Sequence, residues 1–126
     1  TLHFIGPVQT DQVENIAANA GVPFQPFELV LDLPMRWPHG LAVLGATEVP
    51  VPLQALHDRL GDTLRRLDLP METRPYRPHV TLARRADAAI PPTAFAPVVW
   101  RVRRFALVVS TGDREQRYRA IHQYPG

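Results

Sequence analysis

Residues 74–85 read Arg74-Pro75-Tyr76-Arg77-Pro78-His79-Val80-Thr81-Leu82-Ala83-Arg84-Arg85, and this stretch decides the fold. Pro75 and Pro78 push the residues before them toward extended geometry, and a proline suits the entry of a strand better than its middle. The spacing therefore predicts a strand that starts at His79. Side chains at i and i+2 of a strand share a face, so His79 and Thr81 are expected to look into one cleft while Val80 and Leu82 point the other way, into a core. Imidazole titrates near neutral pH and can give or take a proton, and a hydroxyl beside it can bond an anionic oxygen. Such a pair is suited to handling phosphate. On strict alternation Arg77 and Arg85 share the His79 face and Arg84 does not.

Working outward, the opening residues Thr1-Leu2-His3-Phe4-Ile5-Gly6 look like the back half of a similar unit, and Thr1 to Ile5 is predicted as a strand closed by Gly6-Pro7. Thr10 can cap a helix whose apolar positions Val13, Ile16, Ala17 and Ala20 follow helical spacing, with Gly21 and Pro23 as its stop. Phe27, Leu29, Leu31 and Leu33 alternate with Glu28, Val30 and Asp32, which predicts one strand with a single buried face. After the turn Trp37-Pro38-His39-Gly40, the run Leu41 to Ala46 reads as a more fully buried strand. Leu53, Leu56, Leu60, Leu64 and Leu67 form the stripe of a second helix that Leu69-Pro70 ends. Ala88 to Pro97 is a loop. Val98, Trp100 and Val102 then alternate before the phase changes to Phe105, Leu107 and Val109, so a bulge or tight turn is expected at Arg103 and Arg104. Arg117 to Gln123 is a last strand with Tyr118, Ala120 and His122 on one side. These elements make an α+β domain with a mostly antiparallel sheet.

Composition narrows the function classes. A chain of 126 residues suits a single domain, 1–126. The absence of cysteine removes thiol catalysis, disulfides and cysteine-bound zinc. No apolar run approaches the ~18 residues needed to cross a membrane, and no basic-then-apolar signal pattern opens the sequence. We expect a cytoplasmic monomer with no membrane partner. All 14 basic residues are arginine. Residues 1–56 hold one arginine against five acids, a net of −4, and residues 57–126 hold 13 against seven, a net of +6. Guanidinium forks match phosphate oxygens, so the basic half fits a phosphate-bearing partner, although a solvated arginine-rich surface has the same composition. The five histidines, at 3, 39, 57, 79 and 122, show no metal-ligand spacing. No metal and no cofactor are expected.

The ordered set Thr1-Leu2-x-Phe4-Ile5-Gly6, Leu44-Gly45, Arg77-Pro78-His79-Val80-Thr81-Leu82-Ala83-Arg84, Trp100, Ser110 and Tyr118 resembles the two-histidine phosphoesterase superfamily. The closest resemblance is to the RNA 2',3'-cyclic phosphodiesterases also called 2'-5' RNA ligases, or LigT-like proteins. That resemblance implies a bilobal LigT-like fold in which each lobe supplies a His-x-Thr strand to a cleft between them. It also implies metal-independent hydrolysis of RNA 2',3'-cyclic phosphate ends to a 2'-phosphate by paired histidines, with a reverse 2'-5' ligation. His79 would be catalytic, and Thr81, Thr1 and Arg84 would bind the phosphate. Arg77, Arg85 and Tyr76 are candidate RNA contacts, Tyr76 either stacking on a base or packing at the lobe junction. One position departs from the pattern. The family's first motif begins two residues before Thr1 with a histidine that this sequence does not contain, and His3 falls in a variable position. The expectation is a LigT-like domain whose N-terminal part, with that histidine, is missing from the sequence.

Two other classes remain open from the residues. A non-catalytic binder of RNA ends or nucleotides on the same fold would suit the missing histidine, and within the superfamily small cyclic nucleotides are alternative substrates. An N-terminal nucleophile hydrolase using the amine and hydroxyl of Thr1 would need a larger layered sandwich.

Overall fold

The computed structural model describes residues 1–88, 90–92 and 95–126. The chain order is α1 (Thr10–Asn19), β1 (Phe27–Leu31), β2 (Leu33–Trp37), β3 (Leu41–Gly45), α2 (Val51–Arg66), β4 (His79–Ala83), β5 (Val98–Val102), β6 (Arg104–Ser110) and β7 (Tyr118–Pro125). The strands form three antiparallel sheets, β1-β5, β2-β3-β4 and β6-β7. The fold is α+β, as the alternating periodicities indicate. Three residues of the expected Ala88–Pro97 loop, 89, 93 and 94, lie outside the described part.

Helix α2 organises the core. Its stripe of leucines repeats every three to four residues, which places them along one side of the helix. Leu53 joins Leu29, Leu31 and Leu44 in one buried cluster, while Leu60 and Leu64 join Ile16, Ala20, Leu69 and Tyr124 in a second. One helix thus belongs to both cores. Leu2 packs against both as well. Pro52 sits in the first turn, where its missing N–H costs no helical bond, and Arg65 and Arg66 in the last turn face the negative end of the helix dipole. In the second cluster, Tyr124 stacks on Phe105 at 4.9 Å, and its hydroxyl donates to the Ala17 carbonyl at 2.7 Å, which ties β7 to α1.

Several local expectations are corrected. Thr1 to Ile5 forms no strand. Leu2 and Ile5 are drawn onto the cores and His3 onto the His57 carbonyl, at 2.8 Å, and among the described residues no strand pairs with this segment. The N-cap of α1 is Gln9 rather than Thr10, and its N–H donates to Gln12 Oε1 at 3.2 Å. The single strand expected from Phe27 to Leu33 is two, in different sheets. At Asp32 the backbone N–H donates to the Gly45 carbonyl at 3.0 Å, and the carboxylate accepts from Thr47 N–H and hydroxyl at 2.8 and 3.0 Å. These bonds fix the crossing point between sheets. The phase slip near Arg103 has a similar cause: β5 pairs with β1 and β6 with β7, and Gly126 N–H meets the Arg103 carbonyl at 2.8 Å. The chain changes sheets there instead of bulging. The bulge is further on, where Leu107 faces His122 and Val108 faces Ala120, leaving Ile121 as the extra residue. It separates His122 from the side of Tyr118 and Ala120.

Val80 and Leu82 do not enter a core; they are 39% and 63% exposed. Strand β4 pairs with β3 alone, so it is an edge strand, and Leu82 also sits in a bulge.

Candidate active site

The β2-β3-β4 sheet carries the site. Its register aligns Leu33, Gly45 and His79 at one level and Met35, Val43 and Thr81 at the next. Period-2 alternation then gives one face to Leu33, Met35, Trp37, His79 and Thr81 together. His79 and Thr81 are half-buried on that face. The predicted pair is therefore on a common surface.

His79 is held by its near neighbours. Its Nδ1 lies 2.8 Å from the Arg77 carbonyl oxygen. A carbonyl only accepts, so Nδ1 carries the proton in the neutral ring and Nε2 is the free lone pair. The Trp37 ring lies 4.2 Å from the imidazole, inclined by 53°, and the Arg77 guanidinium sits 4.9 Å from the centre of the same indole. Arg77 Nη2 also approaches Met35 Sδ at 3.6 Å. The Met35 methyl fills the space that a side chain at Gly45 would need, since a Cβ there would stand 2.6 Å from it.

The arginines after β4 are ordered by its bulge. Val43 pairs with Thr81 but Ala42 pairs with Ala83, so Leu82 is an extra residue on β4. An extra residue shifts the alternation by one, and Arg84 takes the parity of His79 and Thr81 in place of Arg85. Arg85 then turns the chain away with φ +54°, a left-handed conformation unusual outside glycine. The turn is pinned by Ala86 N–H to the Gly40 carbonyl at 2.7 Å and by Arg36 to the Asp87 carbonyl. Both Arg84 and Arg85 are exposed, and neither makes an ion pair among the described residues.

The other site candidates have contacts of their own. Tyr76 stacks on His57 at 4.2 Å and packs against the cluster of Leu29, Leu31, Leu44 and Leu53; burial pushes its hydroxyl up to about 12. His3 stacks on the His57 ring at 4.1 Å, so the three rings form a pile at the start of the chain. Thr1 is exposed, lies outside any strand and shares no hydrogen bond with His79 or Thr81 among the described residues. From the sequence, Trp37 is placed only at the start of the Trp37-Pro38-His39-Gly40 turn. The alternation Leu33, Met35, Trp37 was the signal that would have put it on a strand face. Among the described residues no group of three or more His, Asp or Glu side chains is placed to hold a metal ion, and no helix is long and apolar enough to cross a membrane.

An α+β domain with a His-x-Thr strand at the edge of an antiparallel sheet has counterparts among phosphoesterases. A solved structure described as a phosphoesterase superposes with a TM-score of 0.85 at 27% identity, over 99% of this chain and 74% of that one. LigT of E. coli, solved in complex with 3'-AMP, gives a TM-score of 0.84 at 27% identity over the same shares. The RNA 2',3'-cyclic phosphodiesterase of Escherichia coli (strain K12) is 35% identical over 99 residues, which are 75% of this chain and 56% of that protein. The chain thus spans little more than half the length of that curated relative. Residues 1–114 match the family described as the 2'-5' RNA ligase superfamily, and the chain belongs to it.

Proposed function

We propose that this protein opens 2',3'-cyclic phosphates at RNA ends, without a metal, by proton transfer at paired histidines. The observation that carries the reading is His79: its Nδ1 is committed to a backbone carbonyl, its Nε2 has no hydrogen bond among the described residues, and it shares a sheet face with Thr81. Opening the ring requires water to attack phosphorus in line with the departing ribose 3' oxygen. One imidazole takes the water's proton as the new P–O bond forms. The other gives a proton to the 3' oxygen as its P–O bond breaks, leaving a 2'-phosphate. Each positioned acid or base contributes about 10² to 10⁴ in rate. His79 Nε2 is one of the two groups. The second is proposed to be the family's first histidine, two residues ahead of Thr1 in a segment that the sequence does not include. Thr81 and Thr1 would donate to the non-bridging oxygens, at about 1.5–3 kcal/mol for each bond to a charged group. Arg84 would neutralise the phosphate, and Arg77, Arg85 and Tyr76 remain proposed RNA contacts. With a ribose 5'-hydroxyl in place of water as the nucleophile, the same groups would join RNA ends through a 2'-5' bond. Likeness to a cyclic phosphodiesterase and to LigT supports this substrate class.

The test is a turnover assay on an oligonucleotide ending in a 2',3'-cyclic phosphate, in EDTA, with the protein carrying the residues that precede Thr1. Turnover that disappears in His79→Ala supports the reading. Binding of the oligonucleotide with no turnover would point to the non-catalytic alternative.

A further inference from the structure

We propose that Trp37 is a positioning residue that fixes the ring plane of His79; the inference rests on the proton-transfer role proposed above. A single hydrogen bond at Nδ1 holds one atom of an imidazole but leaves the ring free to tilt about that bond. A second contact is needed to aim Nε2. The indole supplies it, at 4.2 Å from the imidazole centroid. Arg77 closes the arrangement, because its carbonyl holds His79 Nδ1 at 2.8 Å while its guanidinium lies 4.9 Å over the indole. The contacts run in a loop from the Arg77 backbone through His79 and Trp37 back to the Arg77 side chain.

The support continues beneath Trp37. The turn that follows it holds His39 and Gly40 at φ +66° and +71°, and the Gly40 carbonyl accepts from Ala86 N–H at 2.7 Å. Arg36, on its other flank, donates to the Asp87 carbonyl. The chain on both sides of Trp37 is thus tied to the segment that leaves β4. Its own Nε1–H is buried and has no hydrogen-bond partner among the described residues. Position 37 therefore contributes an aromatic ring to the site, with no hydrogen bond, and phenylalanine should serve in its place.

The experiment compares Trp37→Ala, Trp37→Leu and Trp37→Phe. Misaimed acid or base groups lose rate without losing substrate affinity. The Ala and Leu variants are expected to lose about tenfold in kcat with KM changed by less than about twofold, and Phe is expected to restore kcat. Leucine fills the space without a ring, so it separates positioning from packing and serves if the Ala variant folds poorly. A second readout needs no substrate: nitrogen-15 NMR of the His79 ring should show the Nδ1-protonated tautomer in the parent and Phe variant, and a mixture of tautomers in the Leu variant. Parent-like kcat or an unchanged tautomer in the Leu variant would overturn the proposal, as would a rise in KM alone, which would mark Trp37 as a substrate contact. Should the parent fail to open the cyclic phosphate, the functional reading falls while the tautomer readout still decides the role of Trp37.

Discussion

At His79 a backbone carbonyl chooses which ring nitrogen is free, and the local sequence Arg77-Pro78-His79 supplies that carbonyl two residues upstream. His79→Ala is therefore predicted to reduce turnover by at least about 10² while leaving the thermal midpoint close to the parent's, because the ring is only half-buried. Unchanged turnover would remove His79 from the mechanism. For the arginines, the extra residue at Leu82 gives Arg84 the parity of His79 and Thr81, the face proposed to meet the phosphate. Arg84→Ala should raise KM, and Arg85→Ala should raise it less; the reverse order would mean that strict alternation holds past the bulge. The His79 and Thr81 pairing was legible because a His-x-Thr step after a proline depends on nothing beyond strand geometry. The parity of Arg84 was not legible, since a bulge is defined by the partner strand and no local residue marks it. Trp37 stayed hidden for a related reason: β2 was not recognised, so the ring had no face.

Among the elements, the β2-β3 turn and helix α2 carry distinct strains and charges. Gly40 has φ +71°, and a Cβ there would stand 3.0 Å from both Asp87 carboxylate oxygens and 3.1 Å from the Arg85 Cα. Gly40→Ala is predicted to lower stability by about 1–2 kcal/mol, measured by chemical denaturation, because the left-handed backbone and the close approach both oppose a side chain. A variant as stable as the parent would show that the turn relaxes freely. On α2, burial and then the neighbouring His3 hold the His57 imidazole below its ordinary value, with Asp58 pulling the other way. The unfolded imidazole then binds a proton at higher pH than the folded one. That stability is complete above the ordinary value of 6.5 and is lost as pH falls through the lowered folded value. Between pH 7 and pH 5 the parent should lose more stability than His57→Gln, as read from denaturation midpoints, and parallel curves would contradict the assignment. Element types were legible from periodicity, as β1, β3, β4 and α2 illustrate. Their limits were not, because Asp32 and Arg103 end strands through bonds to distant residues, Gly45, Thr47 and Gly126.

For the molecule as a whole, α2 is the structural link between the two core clusters, with Leu53 in one and Leu64 in the other. Leu53→Ala and Leu64→Ala are each predicted to cost about 2–5 kcal/mol and to lower a single calorimetric transition. Two separate transitions would show that the clusters fold independently. The α+β class could be read from the alternating elements, and the family from residues spread along the chain. The expectation that Val80 and Leu82 lie in a core failed because burial depends on a second layer that strand alternation cannot count. The central functional claim joins His79 to a cyclic phosphate. Phosphorus NMR tests it most directly, on a short RNA ending in a 2',3'-cyclic phosphate, incubated in EDTA with the whole protein and with its His79→Ala variant. The parent should convert the cyclic resonance to that of a 2'-phosphomonoester and the variant should leave it in place. A cyclic resonance that persists with the parent, or disappears equally with the variant, would contradict the two-histidine reading.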